Sequence, residues 1–200
     1  MPISEALDPA RARQRRRRCV GYARPSMEVL HAARFDTPLG EMRAVSSSRG
    51  LVYVELPNAS GRGFNGWSGS NAPGARVLDG YAPNRGAISQ VRDFLAGKRD
   101  SFDLSLDLRG TDFQLEVYEQ VSKIPYGETA SYRSIAEGVG RPRAVRAVGA
   151  ANGVNPLPLI VPCHRVVASN GRLQGYAGGL DMKARLLALE GGRPREGWLL

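Results

Sequence analysis

The sequence predicts an α/β N-terminal domain over residues 29–109, followed by a mainly α C-terminal domain with a helix-turn-helix over residues 110–192. The 200-residue chain is 42% hydrophobic and 24% charged, which is typical of a globular protein of one or two domains. Short β-rich runs separated by turn residues dominate the first part. From Thr111 onward, capping and stop signals at helical spacing replace them.

The N-terminal domain begins with a predicted β-meander. Residues 29–35 and 41–45 flank a Thr-Pro-Leu-Gly turn, and residues 51–55 form the next strand. Residues 88–96 carry apolar side chains at helical spacing and stop at a glycine, which predicts a helix. Residues 102–108 alternate strictly between apolar and polar side chains, as a half-buried strand does.

The region between the meander and this helix, residues 57–87, is rich in turn-forming residues. Seventeen of its 31 residues are glycine, serine, asparagine or proline, so we expect a long mobile loop without a packed element. We also expect residues 1–28 to form a basic disordered tail and residues 193–200 to form a short C-terminal tail.

The charge distribution and the cysteine count limit the class of protein. The formal net charge is +9, and seven arginines lie in the first 24 residues. This run either neutralises phosphate groups non-specifically or is simply a solvated tail. Two cysteines exclude a disulfide framework. The chain lacks a secretory signal and an apolar run of about 20 residues, so we expect a cytoplasmic protein with no membrane partner.

The C-terminal domain opens with a series of predicted helices. Thr111 and Gln114 have the spacing of a capping box, and the apolar stripe that follows ends at Pro125. Residues 131–137 form a second helix, and Pro142 is placed at the first position of a third. Two short helices across a glycine-containing turn form a helix-turn-helix. Ordinary packing of two helices in a core is the alternative to a nucleic-acid surface.

The segment Pro-Cys-His-Arg-Val at residues 162–166 sets one of two cysteines, Cys163, beside one of two histidines, His164. A usual thiol pKa of about 8.5 leaves little thiolate at neutral pH, and a neighbouring imidazole or cation commonly raises that fraction. Residues 155–162 are apolar but contain three prolines, which predicts a buried, rigid loop that holds the thiol in place. The pattern indicates a reactive cysteine, with a buried structural cysteine as the alternative.

Together these residues resemble one protein family. The Pro-Cys-His-Arg-Val segment, the preceding Asn155 and the Tyr-Ala-Gly-Gly-Leu at residues 176–180 are similar to motifs of the O6-alkylguanine-DNA alkyltransferases, also called methylated-DNA-protein-cysteine methyltransferases. The resemblance covers residues 110–192 and, more loosely, residues 31–108. It implies a small RNase H-like sheet with a helix in the N-terminal domain and a winged-helix-like C-terminal domain.

The resemblance also implies a reaction and a partner. The reaction is DNA repair by direct, irreversible transfer of the alkyl group from O6-alkylguanine, and by extension from O4-alkylthymine, to Cys163, once per molecule and without a cofactor. The partner is double-stranded DNA carrying alkylated guanine, bound in the minor groove by a monomer that rotates the damaged nucleotide out of the stack.

Other functions remain as alternatives on the sequence alone. A non-catalytic, alkyltransferase-like lesion-binding protein keeps this fold but replaces the cysteine that is present here. A cysteine hydrolase would need an oxyanion-hole motif that the sequence lacks. A fused transcription regulator would need a further domain.

The resemblance assigns catalytic roles to four residues. Cys163 is the nucleophile, and a water would relay its proton to His164. Glu190, in an amphipathic helix predicted over residues 180–190, would hold the other imidazole nitrogen of His164. Tyr132 would assist nucleotide rotation and donate a proton to the base.

Further residues would form the base pocket and the DNA surface. Backbone groups of Cys163 and Val166 would read the guanine edge. The pocket set is completed by Tyr176, Ala177, Asn155 and Lys183. On the DNA side, Arg146 would enter the duplex in place of the extruded base. Phosphate contacts would come from Arg143, Arg133 and Arg141. A low-relief surface for a narrow groove would come from Ala144, Ala147 and Ala151.

Two departures from the family pattern affect these expectations. Many relatives have serine where this chain has Ala177, so a hydroxyl contact to the base is absent. Some relatives bind a structural zinc in the N-terminal domain, but only Cys19 and His31 remain once Cys163 and His164 are committed. Two such ligands cannot close a tetrahedral site, so we expect no metal.

Overall fold

A four-stranded sheet forms the N-terminal half of the protein in a computed structural model that describes residues 27–57 and 63–191. Its strands are β1 (Val29–Thr37), β2 (Gly40–Ser47), β3 (Gly50–Glu55) and β4 (Arg76–Asp79). The sheet order is β3-β2-β1-β4, with β4 parallel to β1 and the other pairs antiparallel. The predicted β-meander is therefore confirmed, and a fourth strand extends it.

The alternating segment at residues 102–108 forms only part of the predicted strand. A single parallel bridge joins Leu106 to Leu51 at the edge of the sheet. The contact is close, because a Cβ atom on Gly50, whose φ is +144°, would lie 2.2 Å from the carbonyl oxygen of Ser105. The alternation correctly indicates which side chains face inward, since Phe102 and Leu104 pack against the core.

The expected mobile loop over residues 57–87 is wrong for the described part of that region. Residues 63–87 contain helix α1 (Gly63–Asn71), strand β4 and the start of helix α2 (Tyr81–Leu95). The physical reason is packing between segments that are distant in sequence. Phe64 and Trp67 of α1 pack on Tyr53 of β3, with ring centroids 5.5 and 5.3 Å from the tyrosine ring. This aromatic packing outweighs a local composition that favours turns.

Helices dominate the C-terminal half. They are α3 (Asp112–Ser122), α4 (Tyr132–Gly138), α5 (Val145–Gly153) and α6 (Leu180–Leu189), with the short parallel strands β5 (Ala130–Ser131) and β6 (Val166–Val167) between them. The Thr111 and Gln114 capping box is present. Helix α5 begins at Val145, so the placement of Pro142 at its first position is wrong, and Pro142 lies in the preceding turn.

One cluster of buried side chains runs through both halves of the protein. It includes Leu51 of the sheet edge, Phe94 of α2, Val117 of α3, Leu157 of the proline-containing loop and Leu186 of α6. Residues 156–162 are buried, which confirms the predicted buried loop. The predicted tails fall largely outside the described residues, which exclude 1–26 and 192–200.

Arg109 joins three parts of the N-terminal half. Its guanidinium pairs with Glu28 before β1 and with Asp107 in the edge segment, and it donates to the carbonyl oxygen of Asn71 at the end of α1 at 3.0 Å. The Arg109 and Asp107 side chains are 13% and 8% exposed, so this charge network is poorly solvated. It therefore holds α1 against the sheet.

We expect Arg109→Met to lower the free energy of unfolding by about 3 kcal/mol, because it leaves a buried carboxylate short of a partner. Denaturant titration at neutral pH measures the change. The control is Arg34→Met, since Arg34 pairs with Glu41 at a surface where the side chains are 65% and 52% exposed. That variant should keep a stability near the wild-type value, because an exposed ion pair contributes little, and equal losses in the two variants would contradict the assigned role of Arg109.

Candidate active site

Cys163 opens a short 3-10 turn, Cys163–Arg165, directly after the buried proline-containing loop. Its side chain is enclosed, and the residue is 4% exposed. Asn155 braces the loop, since its Nδ2 donates to the carbonyl oxygen of Val161 at 2.8 Å and its Oδ1 accepts from the amide of Leu157 at 3.0 Å. The loop that carries the thiol is thus braced, and Asn155, which follows α5, connects the start of this loop to the residue two positions before Cys163.

The carboxylate of Glu190 is the centre of a buried charge cluster at the end of α6. One oxygen lies 2.7 Å from His164 Nε2. The other accepts from Arg165 Nε at 2.8 Å and from the amide of Gly127 at 3.1 Å. Burial alone would raise the pKa of Glu190, but the hydrogen bonds from His164 and Arg165 outweigh burial and lower that pKa to about 2. Glu190 is therefore an anion at neutral pH.

Arg165 is a site residue that the sequence reasoning did not identify. It is 6% exposed, and it also donates to the carbonyl oxygen of Ile124 at 2.7 Å. A charged residue within an otherwise apolar segment was the available signal, because arginine is rarely buried without a partner. Its partner, Glu190, lies 25 residues away in sequence.

The anionic Glu190 determines the state of His164. Burial lowers the pKa of His164, although Glu190 opposes that change, so the imidazole is neutral at neutral pH. A neutral imidazole beside a carboxylate carries its hydrogen on Nε2, which donates to Glu190. The other nitrogen, Nδ1, is buried and has no hydrogen-bond partner among the described residues. His164 thus keeps a basic lone pair on Nδ1 that no described residue occupies.

The thiol of Cys163 is in its protonated form at rest. Burial raises the pKa of Cys163, and the opposing effects of Asn155 and the Lys183 cation do not cancel that rise. This differs from the sequence-based expectation that neighbouring groups increase the thiolate fraction. The imidazole of His164 does not hydrogen-bond to Cys163 directly. The nucleophile therefore needs a base at the moment of reaction.

Lys183 and Tyr132 meet at the carbonyl oxygen of Gln174. Lys183 Nζ donates to that oxygen at 2.7 Å and to the carbonyl oxygen of Val166 at 2.5 Å. The Tyr132 hydroxyl, on α4, donates to the same Gln174 oxygen at 3.0 Å. Burial lowers the pKa of Lys183 to about 8, and the nearby Cys163 opposes that change. The arrangement brings both residues into the site that the sequence predicted.

Tyr176 and Ala177 are adjacent, half-buried residues in the segment before α6. The Tyr176 hydroxyl is buried and has no hydrogen-bond partner among the described residues. Ala177 lines a cleft of about 1020 Å³ together with Asn155 and Pro158, and Trp67 of α1 lines the far side of the same cleft. An open volume therefore adjoins the residues around the thiol.

Helix α5 presents an exposed face with a basic side chain. Arg146 and Ala147 are exposed, and Ala144, just before the helix, is half-buried. Arg143 is exposed in the turn before α5, and Arg133 is exposed on α4. Arg141 is also exposed, but it pairs with Glu116 at 2.8 Å and lies over the ring of Phe113.

The expectation for Ala151 is wrong. It is 3% exposed and belongs to the buried core, and its carbonyl oxygen accepts from the Tyr118 hydroxyl at 3.1 Å. The spacing of small residues on a helix does not distinguish the outer face from the face that packs on α3.

The described residues contain no cluster of three or more histidine, cysteine, aspartate or glutamate side chains that could hold a metal ion. Cys19 lies outside the described part of the chain. Among the helices in residues 27–57 and 63–191, none combines the length and the apolar character that crossing a membrane requires.

We expect Glu190→Gln to lower the free energy of unfolding by about 3 kcal/mol at pH 7, because it leaves Arg165 buried without its counter-charge. The pKa of Glu190 is depressed in the folded protein, so its contribution is present above its ordinary pKa of 4.5 and is lost as pH falls from about 5 to about 2. Urea titrations across this range should show a shallower acid-dependent loss in the variant than in the wild type.

The control for this measurement is Glu137→Gln, since Glu137 is exposed on α4. It should retain the acid-dependent loss and stay within about 0.5 kcal/mol of the wild-type stability. If Glu190→Gln and the wild type show the same pH dependence, the assignment of Glu190 as a buried anion is wrong.

Comparisons with known proteins show which family the chain resembles. Residues 112–192 match the family model for the 6-O-methylguanine DNA methyltransferase DNA binding domain. The chain is 40% identical over 166 residues to the methylated-DNA-protein-cysteine methyltransferase of Methanosarcina acetivorans, covering 81% of this chain and 99% of that protein. It is 54% identical over 155 residues to the corresponding protein of Methanosarcina barkeri, covering 78% and 93%.

Among solved structures, the chain matches that of Mycobacterium tuberculosis OGT in complex with DNA, with a TM-score of 0.69, 39% identity and coverage of 80% of this chain and 92% of that one. The protein is a mixed α/β structure with a small sheet, as expected from that match. The chain therefore belongs to the methylated-DNA-protein-cysteine methyltransferase family.

Proposed function

We propose that this protein repairs alkylated DNA by moving the alkyl group from the O6 atom of guanine to the sulfur of Cys163, in a single irreversible turnover. The observation that carries the proposal is the buried thiol beside a neutral His164 whose Nδ1 lone pair has no partner among the described residues. The membership of the family supports the same reaction, and a DNA complex is known for a structural relative.

The reaction begins with proton transfer from Cys163. His164 Nδ1 accepts the thiol proton through one bridging water, and Glu190 stabilises the imidazolium that forms. The thiolate then attacks the alkyl carbon in line with the bond to O6. A carbon–sulfur bond forms as the carbon–oxygen bond breaks, and the electron pair of the broken bond stays on guanine. Lys183 lowers the energy of the thiolate, since its cation favours a charged sulfur.

The departing guanine needs a proton, and Tyr132 is the proposed donor. Its hydroxyl hydrogen-bonds to a backbone carbonyl at 3.0 Å, and burial raises the pKa of Tyr132. The tyrosine is therefore protonated at neutral pH and able to donate. The thioether left on Cys163 has no neighbouring thiol to remove the alkyl group, since Cys163 is the free cysteine among the described residues. Each molecule consequently reacts once.

A base inside a duplex cannot reach a thiol that is 4% exposed, so the damaged nucleotide must rotate out of the stack. We infer that α5 enters the minor groove and that the exposed Arg146 fills the space left by the base. Ala144 and Ala147 provide a low surface beside it. Arg133 and Arg143 contact phosphates, and Arg141 can do so after leaving Glu116.

The remaining assignments follow from the same model of action. Backbone groups of Cys163 and Val166 read the guanine edge, Tyr176 walls the pocket and Ala177 contributes a backbone amide without a hydroxyl. Residues 110–192 act as a winged-helix-like catalytic and DNA-binding domain, and residues 29–109 as an RNase H-like domain. The protein acts as a cytoplasmic monomer on double-stranded DNA, and O4-alkylthymine is a secondary substrate that reacts more slowly than O6-alkylguanine.

We expect Cys163→Ser to abolish alkyl transfer and to retain DNA binding, because serine preserves the fold but is a far weaker nucleophile at neutral pH. The assay mixes the protein with a duplex that contains one O6-methylguanine and measures intact and peptide mass. Wild type should gain one CH₂ on the Cys163 peptide for each guanine restored. Unchanged mass with tight lesion binding by the wild type would instead indicate a non-catalytic lesion-binding protein.

We expect Arg146→Ala to slow repair of a duplex by about tenfold or more, while reaction with free O6-benzylguanine stays near the wild-type rate, because only the duplex requires extrusion of the base. Single-turnover rates on both substrates provide the comparison. The matched control is Arg185→Ala, another exposed arginine, on α6, which should leave both rates near wild type. Equal slowing of duplex and free base by Arg146→Ala would exclude the extrusion role.

A further inference from the structure

Asn152 is a buried polar residue of α5 to which the sequence reasoning gave no role. It is 5% exposed, and its Nδ2 donates to the carbonyl oxygen of Cys163 at 3.2 Å. Its other polar atom, Oδ1, is buried and has no hydrogen-bond partner among the described residues. Buried side-chain acceptors are nearly always paired, so this oxygen requires an explanation.

The position of Asn152 connects the elements that the reaction uses. Its helix carries Arg146, and its amide holds the backbone of the nucleophile. It also lies beside Tyr132. Burial raises the pKa of Tyr132, and a hydrogen bond with the Asn152 side chain opposes that rise. The Asn152 side chain therefore contacts the residues proposed as nucleophile and as proton donor, and its unpaired oxygen is buried beside these contacts.

The chemistry of the base determines which group can pair with this oxygen. In O6-alkylguanine the ring nitrogens N1, N3 and N7 carry no hydrogen, because alkylation at O6 removes the proton from N1. The exocyclic 2-amino group is the remaining N–H donor that the base itself offers. O4-alkylthymine has no N–H donor on its ring after alkylation. An acceptor at this position thus matches guanine and is left unpaired by thymine.

We propose that Asn152 is a specificity-determining residue whose Oδ1 accepts a hydrogen bond from the 2-amino group of the extruded O6-alkylguanine. This inference rests on the proposed function. One hydrogen of the amine binds Oδ1, and the other is available to the backbone carbonyl of Cys163 or Val166. Both carbonyls are held in place, by Asn152 Nδ2 and by Lys183 Nζ respectively. The site is therefore pre-organised for a purine that carries this amine.

Sites built to hydrogen-bond a substrate group discriminate strongly against an analogue that lacks it, because the protein group is then buried without a partner. The proposal accordingly predicts that O6-methylguanine is repaired faster than O6-methylhypoxanthine, which lacks only the 2-amino group. It also predicts that O4-methylthymine is a poor substrate. Asn152 supplies part of that preference, and the two backbone carbonyls supply the rest.

The test measures single-turnover methyl transfer to Cys163 from duplexes that differ only in carrying O6-methylguanine or O6-methylhypoxanthine. We expect the wild type to prefer O6-methylguanine by about a hundredfold or more, which is about tenfold for each of the two hydrogen bonds that the amine makes to buried acceptors. Asn152→Leu keeps the approximate volume but removes both polar atoms. It should slow transfer from O6-methylguanine and reduce the ratio of the two rates by about tenfold, and Asn152→Ala should reduce the same ratio if the leucine variant does not fold.

The matched control is Val148→Ala, since Val148 is fully buried on the same helix and has an apolar side chain. It should weaken α5 and lower both rates by the same factor, leaving the ratio at its wild-type value. A wild-type ratio near one, or a ratio that Asn152 substitutions leave unchanged, would overturn the proposal and leave Asn152 with a purely structural role. Failure of the wild type to transfer any methyl group to Cys163 would instead overturn the proposed function.

Discussion

The hydrogen-bonded carboxylate of Glu190 is the interaction on which the active site depends. It joins the end of α6 to the turn that carries Cys163, through His164 and Arg165, and to the loop after α3, through the amide of Gly127. A buried carboxylate is costly unless charged or polar partners surround it. Here the carboxylate and its partners come from three separate elements, so the charge cluster forms only when all three are assembled.

The same cluster explains why a buried cysteine can be a nucleophile. Burial raises the pKa of Cys163 and favours the neutral thiol, which protects it from unwanted reaction in the absence of substrate. The anionic Glu190 directs the imidazole hydrogen to Nε2 and leaves Nδ1 basic. Cys163 is thus a neutral thiol at rest and becomes a nucleophile only during the reaction. Its activation requires proton transfer to His164 rather than a permanently lowered pKa of the thiol.

Burial also means that the proposed site contains polar atoms that the fold alone does not pair. Among the described residues, three of the six buried side-chain atoms without a partner are His164 Nδ1, Asn152 Oδ1 and the Tyr176 hydroxyl. These three belong to residues of the proposed site, whereas the other three belong to Arg43, Trp67 and Ser122. Unsatisfied polar groups within a proposed site are typical of a place prepared for a ligand rather than for stability alone. The rest of the fold provides the rigidity that keeps these atoms in position.

Local signals in the sequence were sufficient for several elements. The capping box at Thr111, the turns of the β-meander and the proline-containing loop depend on contacts within a few residues, and the structure has them as predicted. The sequence also shows directly that Cys163 and His164 are neighbours. By contrast, α1 and β4 were missed, because Phe64 and Trp67 gain their stability from Tyr53 and not from neighbours in sequence.

The sequence by itself therefore determined the order of most elements, the reactive Cys-His pair and, through resemblance, the family. The tertiary structure decided which side chains complete the site. Arg165 meets Glu190 across 25 residues, Asn152 reaches the backbone of Cys163 across 11, and Ala151 turns inward while Arg146 stays exposed. These outcomes depend on how helices pack around one core, and packing between distant segments leaves no periodic signal in the chain.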